Sequence, residues 1–291
     1  MLVAVLVPAL ALLALLLRNN STYITIKRSG ICYSVIVLIC HNYAMLKDGE
    51  RINEINESLR LIEKKDGLVF GTDAYLLSAY LPKRERLVGA ELGSGTGVIS
   101  LLATARKKCL HVYAFEVQNE FCELSERNIS LNGFDGKITV ISKDVRYATP
   151  ADTGKEVDFV FSNPPYMKSD SGKSNEKEEK NIARHEICGD INDFCACARR
   201  LLKHGGNFYT VYRPDRMADL IYALKSNGLE PKKITYVYPN STTPPCLMLV
   251  SAKLGGKSGL VIDEPLFIYK DNTREYTDRF AKIYENCSME R

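Results

Sequence analysis

The chain has 291 residues, of which 45% are hydrophobic and 25% charged, and its formal net charge is +4. That balance excludes a disordered, a collagen-like and a uniformly acidic protein, and it allows one large domain or two small ones. Nine cysteines, an odd number with no C-x-x-C pair, argue against a zinc site and a disulfide framework, so a reducing, cytoplasmic setting is expected.

In chain order, residues 2–17 (LVAVLVPALALLALLL) form an apolar run of 16, short of the roughly 20 that a spanning helix needs. The run lacks a basic leading region and an A-x-A site, so it reads poorly as a signal peptide. A second apolar stretch, YSVIVLIC, follows at 33–40. Residues 1–44 are thus expected as an apolar N-terminal extension: a membrane anchor, a loosely packed segment, or sequence upstream of a start at Met45. The last reading is favoured because MLKDGERINEI opens a stretch of ordinary soluble character. A membrane partner follows only if residues 1–44 are translated.

Residues 45–85 are expected as an N-terminal cap. From residue 86 apolar strands alternate with amphipathic helices: strands at 86–92, 110–116, 137–142 and 157–162, helices at 98–108 and 118–133. A helix near 190–203, a strand at 206–212 and a helix at 215–227 continue the pattern, which argues a parallel sheet with helices on both faces. Strands near 232–238 and 246–252 are separated only by PNSTTPP, too short for a crossover, so they pair antiparallel. The expectation is an α/β domain over 86–255 with seven strands, mostly parallel, the one antiparallel strand at an edge. Residues 256–291 are expected as a C-terminal tail. Residues 167–184 are polar and charged and are expected as a mobile loop able to close over a substrate.

The chemistry concentrates at strand ends. ELGSGTG at 91–97 follows the first strand and opens a helix, a place where a ligand approaches backbone donors and a positive dipole end. Its spacing is G-x-G-x-G, not the G-x-G-x-x-G of nicotinamide sites. Glu91 ahead of the glycines would repel a pyrophosphate and suits a cofactor bearing an amino group and a sulfonium, which points to S-adenosylmethionine. Gly93, Ser94, Gly95 and Gly97 would form its cradle, although a plain strand–helix turn has the same glycines. Glu116, with Val117 beside it, ends the second strand where a carboxylate can take ribose hydroxyls. Asp144, with Val145, follows the third strand where an adenine amine would be met. Either acid alone is more often a surface charge; their succession along one sheet edge is the argument.

The fourth strand ends in Asn163, Pro164, Pro165 and Tyr166. Adjacent prolines make a rigid turn, and on their own a stiff strand cap. Here they would hold acceptors: the Asn163 side-chain oxygen and the Pro164 carbonyl can take both hydrogens of a planar amine and localise its lone pair. Tyr166 can stack on the base. The scheme needs neither a metal nor a strong base.

These motifs make the chain resemble class I, Rossmann-like S-adenosylmethionine-dependent methyltransferases with an N-P-P-[FY] turn. More narrowly, residues 45–286 are similar to the tRNA1(Val) adenine-N6-methyltransferase family, on FGTDA at 70–74, ELGSGTG, FEVQ at 115–118, NPPY, RHE at 184–186, LLKHGGNF and YRPDRMADL. The resemblance implies methylation of the adenine next to the anticodon. It puts Glu91, Gly93, Gly95, Glu116 and Asp144 around the cofactor, Asn163 to Tyr166 around the target amine, and Phe70, Gly71, Thr72 and Asp73 over the methionine end. Asn163 then touches both ligands.

Charge supports a tRNA partner. Residues 199–257 carry ten Lys or Arg against Asp215, Asp219 and Glu230, which suits a phosphate backbone, though solvated helix faces would read alike. Lys232, Lys233 and Arg184 are the candidate phosphate contacts; His185 between Arg184 and Glu186 reads better as structural than as a base. Rival readings are N-methylation of another planar amine (DNA adenine, rRNA guanine N2, protein glutamine) and a non-catalytic RNA- or cofactor-binding module. LGGKSG at 254–259 lacks the first glycine of a P-loop, since Ser251 stands there.

Overall fold

The structure, a computed structural model, describes residues 45–56, 59–65, 71–165, 189–271, 273–286 and 289. The N-terminal extension, Phe70, Tyr166, Arg184, His185 and the 167–184 segment lie outside the described residues. The chain divides into two compact units, residues 1–53 with 62–68, and residues 54–61 with 69–291. Strands β1 (Glu50–Asn56) and β2 (Leu59–Lys64) make a two-stranded sheet. In the first unit the Arg51 guanidinium meets the buried Glu63 carboxylate at 2.7 Å.

The larger unit contains a nine-stranded sheet. Its parallel core is β3 (Val88–Leu92), β4 (His111–Glu116), β5 (Ile138–Ser142), β6 (Val157–Ser162) and β7 (Leu202–Tyr212). Helices α1 (Thr72–Tyr80), α2 (Val98–Ala105), α3 (Asn119–Leu131), α4 (Ile191–Leu201) and α5 (Met217–Ser226) alternate with them. Then come β8 (Leu229–Tyr238) and β9 (Leu247–Leu254), the two-residue strands β10 (Val261–Ile262) and β11 (Leu266–Phe267), and α6 (Asp278–Asn286). The order is β10-β8-β9-β7-β6-β3-β4-β5, with β11 also on β8.

The mostly parallel sheet with helices on both faces is the expected one, but it has nine strands instead of seven, because the expected tail adds β10 and β11, and the antiparallel strand sits elsewhere. The antiparallel strand β9 pairs with both β7 and β8, so it is inserted between them instead of lying at the edge. The crossover through α5 leaves a strand-wide gap between β7 and β8, and the hairpin folds back into it. The run Met248, Leu249, Val250 is buried on consecutive residues, the mark of a strand covered on both faces. Residues 256–286 supply β10 and β11, which pair parallel with β8, and α6, whose Phe280 and Ile283 are buried.

Strand alternation divides the core. Phe159, Phe161, Val211 and Leu249 pack with Leu76 and Leu77 of α1, Leu101 and Leu102 of α2, and Phe280 of α6. Val160, Phe208, Met248 and Val250 face the other way, onto Phe194 and Leu201 of α4 and Leu220 and Leu224 of α5. No helix among the described residues is long and apolar enough to cross a membrane.

Candidate functional site

The chain leaves β3 toward β4 on one side and β6 lies on the other, so the carboxyl end of β3 is a point where the strand order reverses. Ligands of open α/β sheets sit in the crevice such a reversal opens. Glu91 and the glycine turn, Glu116, Asp144 and Asn163 all fall at or just past the carboxyl ends of β3, β4, β5 and β6. The Ser162 hydroxyl donates to the Leu92 carbonyl at 2.8 Å and ties the end of β6 to the end of β3.

The glycine turn is shaped by backbone. Gly93, Gly95 and Gly97 have φ of 70°, 54° and 79°, in the left-handed region that side chains resist. Gly93 and Ser94 N–H groups donate to the Phe115 carbonyl, each at 2.9 Å, fastening the turn across to β4. A Cβ at Gly97 would run into the Ser125 hydroxyl of α3, whereas one at Gly95 would meet open space. The Ser94 hydroxyl is buried and has no protein partner among the described residues, a polar group of the turn left for a ligand or a water.

Glu116 is buried and its carboxylate is held by three backbone donors. Oε2 accepts from Gly95 N–H at 2.8 Å, and Oε1 from Val117 and Gln118 N–H at 3.0 Å each. It thus bridges the turn after β3 to the loop after β4 and keeps part of its acceptor capacity.

Glu91 behaves differently from the expectation that it faces a cationic ligand. It is 1% exposed, and its Oε2 accepts from the Ser100 N–H at 3.1 Å and from the Ser100 hydroxyl. Burial pushes its pKa up to about 8, against the pull of those two hydrogen bonds. The carboxyl pins α2 onto β3. The sequence carried little sign of this, because Ser100 sits inside an otherwise apolar helix.

Asp144 caps a 3-10 turn at Val145–Tyr147, accepting from the Arg146 N–H at 2.8 Å, and its Oδ2 pairs with the Arg146 guanidinium at 2.5 Å. Burial opposes its ionisation, but the bonds from Arg146 outweigh this and hold it below the usual carboxylate range. Arg200 supports the turn by donating to the Val145, Arg146 and Ala148 carbonyls. An adenine amine at Asp144 would therefore compete with Arg146. An aspartate directly before a short turn is a cap signal in its own right.

Just past β6, Asn163 is half-buried, Pro164 is buried and Pro165 half-buried. The Asn163 Nδ2 donates to Asp73 Oδ2 at 2.7 Å, joining the first turn of α1 to the end of β6. The same motif's Gly71 and Thr72 are exposed at the start of α1. Lys232 and Lys233 lie early in β8, away from the carboxyl edge; Lys232 Nζ donates to the Lys257 carbonyl and Lys233 pairs with Asp263 at 2.6 Å.

Comparison with known proteins follows the same outline. The sequence model of the Methyltransferase small domain family matches residues 65–221. The chain is 28% identical over 186 residues to a tRNA1(Val) (adenine(37)-N6)-methyltransferase of Parabacteroides distasonis, covering 64% of this chain and 77% of that protein. A Bacteroides fragilis protein of the same name is 27% identical over 219 residues, covering 75% and 90%. Among solved structures, a predicted O-methyltransferase from Agrobacterium tumefaciens superposes with a TM-score of 0.61 at 23% identity, over 75% of this chain and 98% of that one.

Proposed function

We propose, on the premise that this chain belongs to the Methyltransferase small domain family and is an S-adenosylmethionine-dependent methyltransferase, that its acceptor is N6 of an adenine in tRNA, next to the anticodon. The observation that carries the reading is Asn163 and Pro164 at the end of β6, beside the glycine turn of β3 and tied to it through Ser162. The names of the Parabacteroides and Bacteroides relatives support tRNA and adenine over other amines.

The residues fit the cofactor. Ser94 offers an orphaned buried hydroxyl, Gly95 open space, and Glu116 remaining acceptor capacity for a ribose hydroxyl. When bound, S-adenosylmethionine supplies a methyl group on a positively charged sulfur, which a nitrogen lone pair in line with it can take. The chain's task is to expose that lone pair. An adenine amine is planar because its electrons are delocalised into the ring. The Asn163 Oδ1 and the Pro164 carbonyl accept its two hydrogens and draw the lone pair out of conjugation. The prolines hold both acceptors still, which is electrostatic preorganisation. After methylation the nitrogen proton is acidic and leaves to solvent, so no strong base is required. Tyr166 is assigned the face of the base and Arg184 the phosphates, both on sequence grounds.

Nucleoside mass spectrometry tests the acceptor. Purified protein, S-adenosylmethionine and unmodified tRNA should yield N6-methyladenosine. Methyl transfer to a glutamine peptide or to DNA with none to tRNA would move the acceptor to the rival class. Donor binding with no transfer to any of the three would leave a binding module.

A further inference from the structure

The 2.7 Å bond between Asn163 Nδ2 and Asp73 Oδ2 does more than join two segments. An amide side chain fits nearly the same space with its oxygen and nitrogen exchanged, and only its hydrogen-bond partners choose between the two. An ionised carboxylate accepts and never donates. Facing Asp73, the amide can present only its NH₂, because the exchanged form would set two oxygens against each other at that distance. Oδ1 is thereby committed to the other side.

We propose that Asp73 is a positioning residue for methyl transfer: it selects the orientation of the Asn163 amide that turns Oδ1 toward the acceptor amine. This rests on the acceptor reading above and gives Asp73 this task in place of the methionine-end contact expected from the sequence. The exchanged amide would offer N–H groups to an amine that itself needs acceptors, and transfer would lose its polarising contact.

Asp73 is well placed to hold such a choice. Its other oxygen accepts from the Ala74 N–H at 3.0 Å, which restrains the carboxylate. Helix α1 is fastened by fully buried Leu76 and Leu77, by the Tyr75 hydroxyl donating to the Ile55 carbonyl at 3.2 Å, and by Tyr75 stacked on Tyr284 of α6 at 4.4 Å. A Cβ at Gly71 would stand 2.7 Å from Asp73 Oδ1, so glycine there leaves room for the carboxylate where it is. The two partners are 90 residues apart in sequence.

The test is a double-mutant cycle on the full chain, with kcat measured on unmodified tRNA at saturating donor and affinity for S-adenosylhomocysteine measured by calorimetry. Asp73→Ala should lower kcat by about ten- to a hundredfold and leave that affinity within about threefold, as expected for a contact that acts through geometry at the reacting atom. Asp73→Asn, which still offers an oxygen, should lose less, and it carries the test if the alanine variant does not fold. In the Asn163→Ala background, Asp73→Ala should cost nothing further. Multiplying losses, or a defect confined to S-adenosylhomocysteine affinity, would overturn the inference. A slow Asn163→Ala enzyme beside a full-rate Asp73→Ala enzyme would sink this inference alone; a full-rate Asn163→Ala enzyme would sink the acceptor reading with it.

Discussion

Along β3 and β4 the carboxyl edge secures its acids with groups close to them in the fold: Glu116 takes three backbone N–H donors and Glu91 takes the N–H and hydroxyl of Ser100. At β6 the edge secures an amide with a side chain from a helix 90 residues away in sequence, Asn163 with Asp73. Backbone donors move only when the chain moves, so the first arrangement makes a permanent cradle. A pair of side chains has a choice of partners and rotamers, so the second sets which atom faces the reaction. The cradle is architecture; the hook is chemistry.

That contrast fixes where mutations should act. The largest effect is expected at the hook. Asn163→Ala removes one preorganised acceptor and should lower kcat by about 10²–10³-fold, with donor affinity changed only a few-fold. Rapid-quench labelling of tRNA beside calorimetry of the donor separates the two quantities; a loss lodged in donor affinity would erase the distinction between the halves.

A smaller effect belongs to the cradle and appears in stability. Glu91 has a folded pKa of about 8 against an ordinary 4.5, so the folded protein binds the extra proton between those values. The stability this contributes is fully present below pH 4.5 and declines as pH rises toward 8, at up to about 1.4 kcal/mol per pH unit within the window. Glu91→Gln carries no such proton and should flatten the decline. Denaturant melts from pH 5 to 8 on both proteins decide it: parallel curves would mean that Glu91 ionises normally within the fold.

The parts of the molecule differ in how far their sequence announces them. Glu116 and Asn163 were legible at strand ends because apolar alternation marks β4 and β6, and a parallel sheet brings such ends to one edge. The reversal of β9 was legible from the short PNSTTPP link, but its insertion between β7 and β8 depends on which side of β8 the hairpin falls, a tertiary matter. Ser100 as the partner of Glu91 was hidden by its apolar helix. The Arg146 grip on Asp144 was readable in principle from two-residue spacing, since a capping aspartate often binds just ahead. Asp73 as the partner of Asn163 was not readable at all, because no local rule links residues 90 apart. The basic count in residues 199–257 overstated free charge: Arg213, Arg216, Lys225 and Lys233 each pair with an acid.

The central claim is that the Asn163 oxygen and the Pro164 carbonyl receive the hydrogens of an acceptor amine. The most direct measurement is a crystal structure with S-adenosylhomocysteine and an anticodon-loop RNA. The account predicts the adenine N6 at hydrogen-bond distance, about 2.6–3.2 Å, from both oxygens, with the Asn163 NH₂ still on Asp73. An adenine bound beside the sulfur but polarised by other groups, with Asn163 turned away, would contradict it.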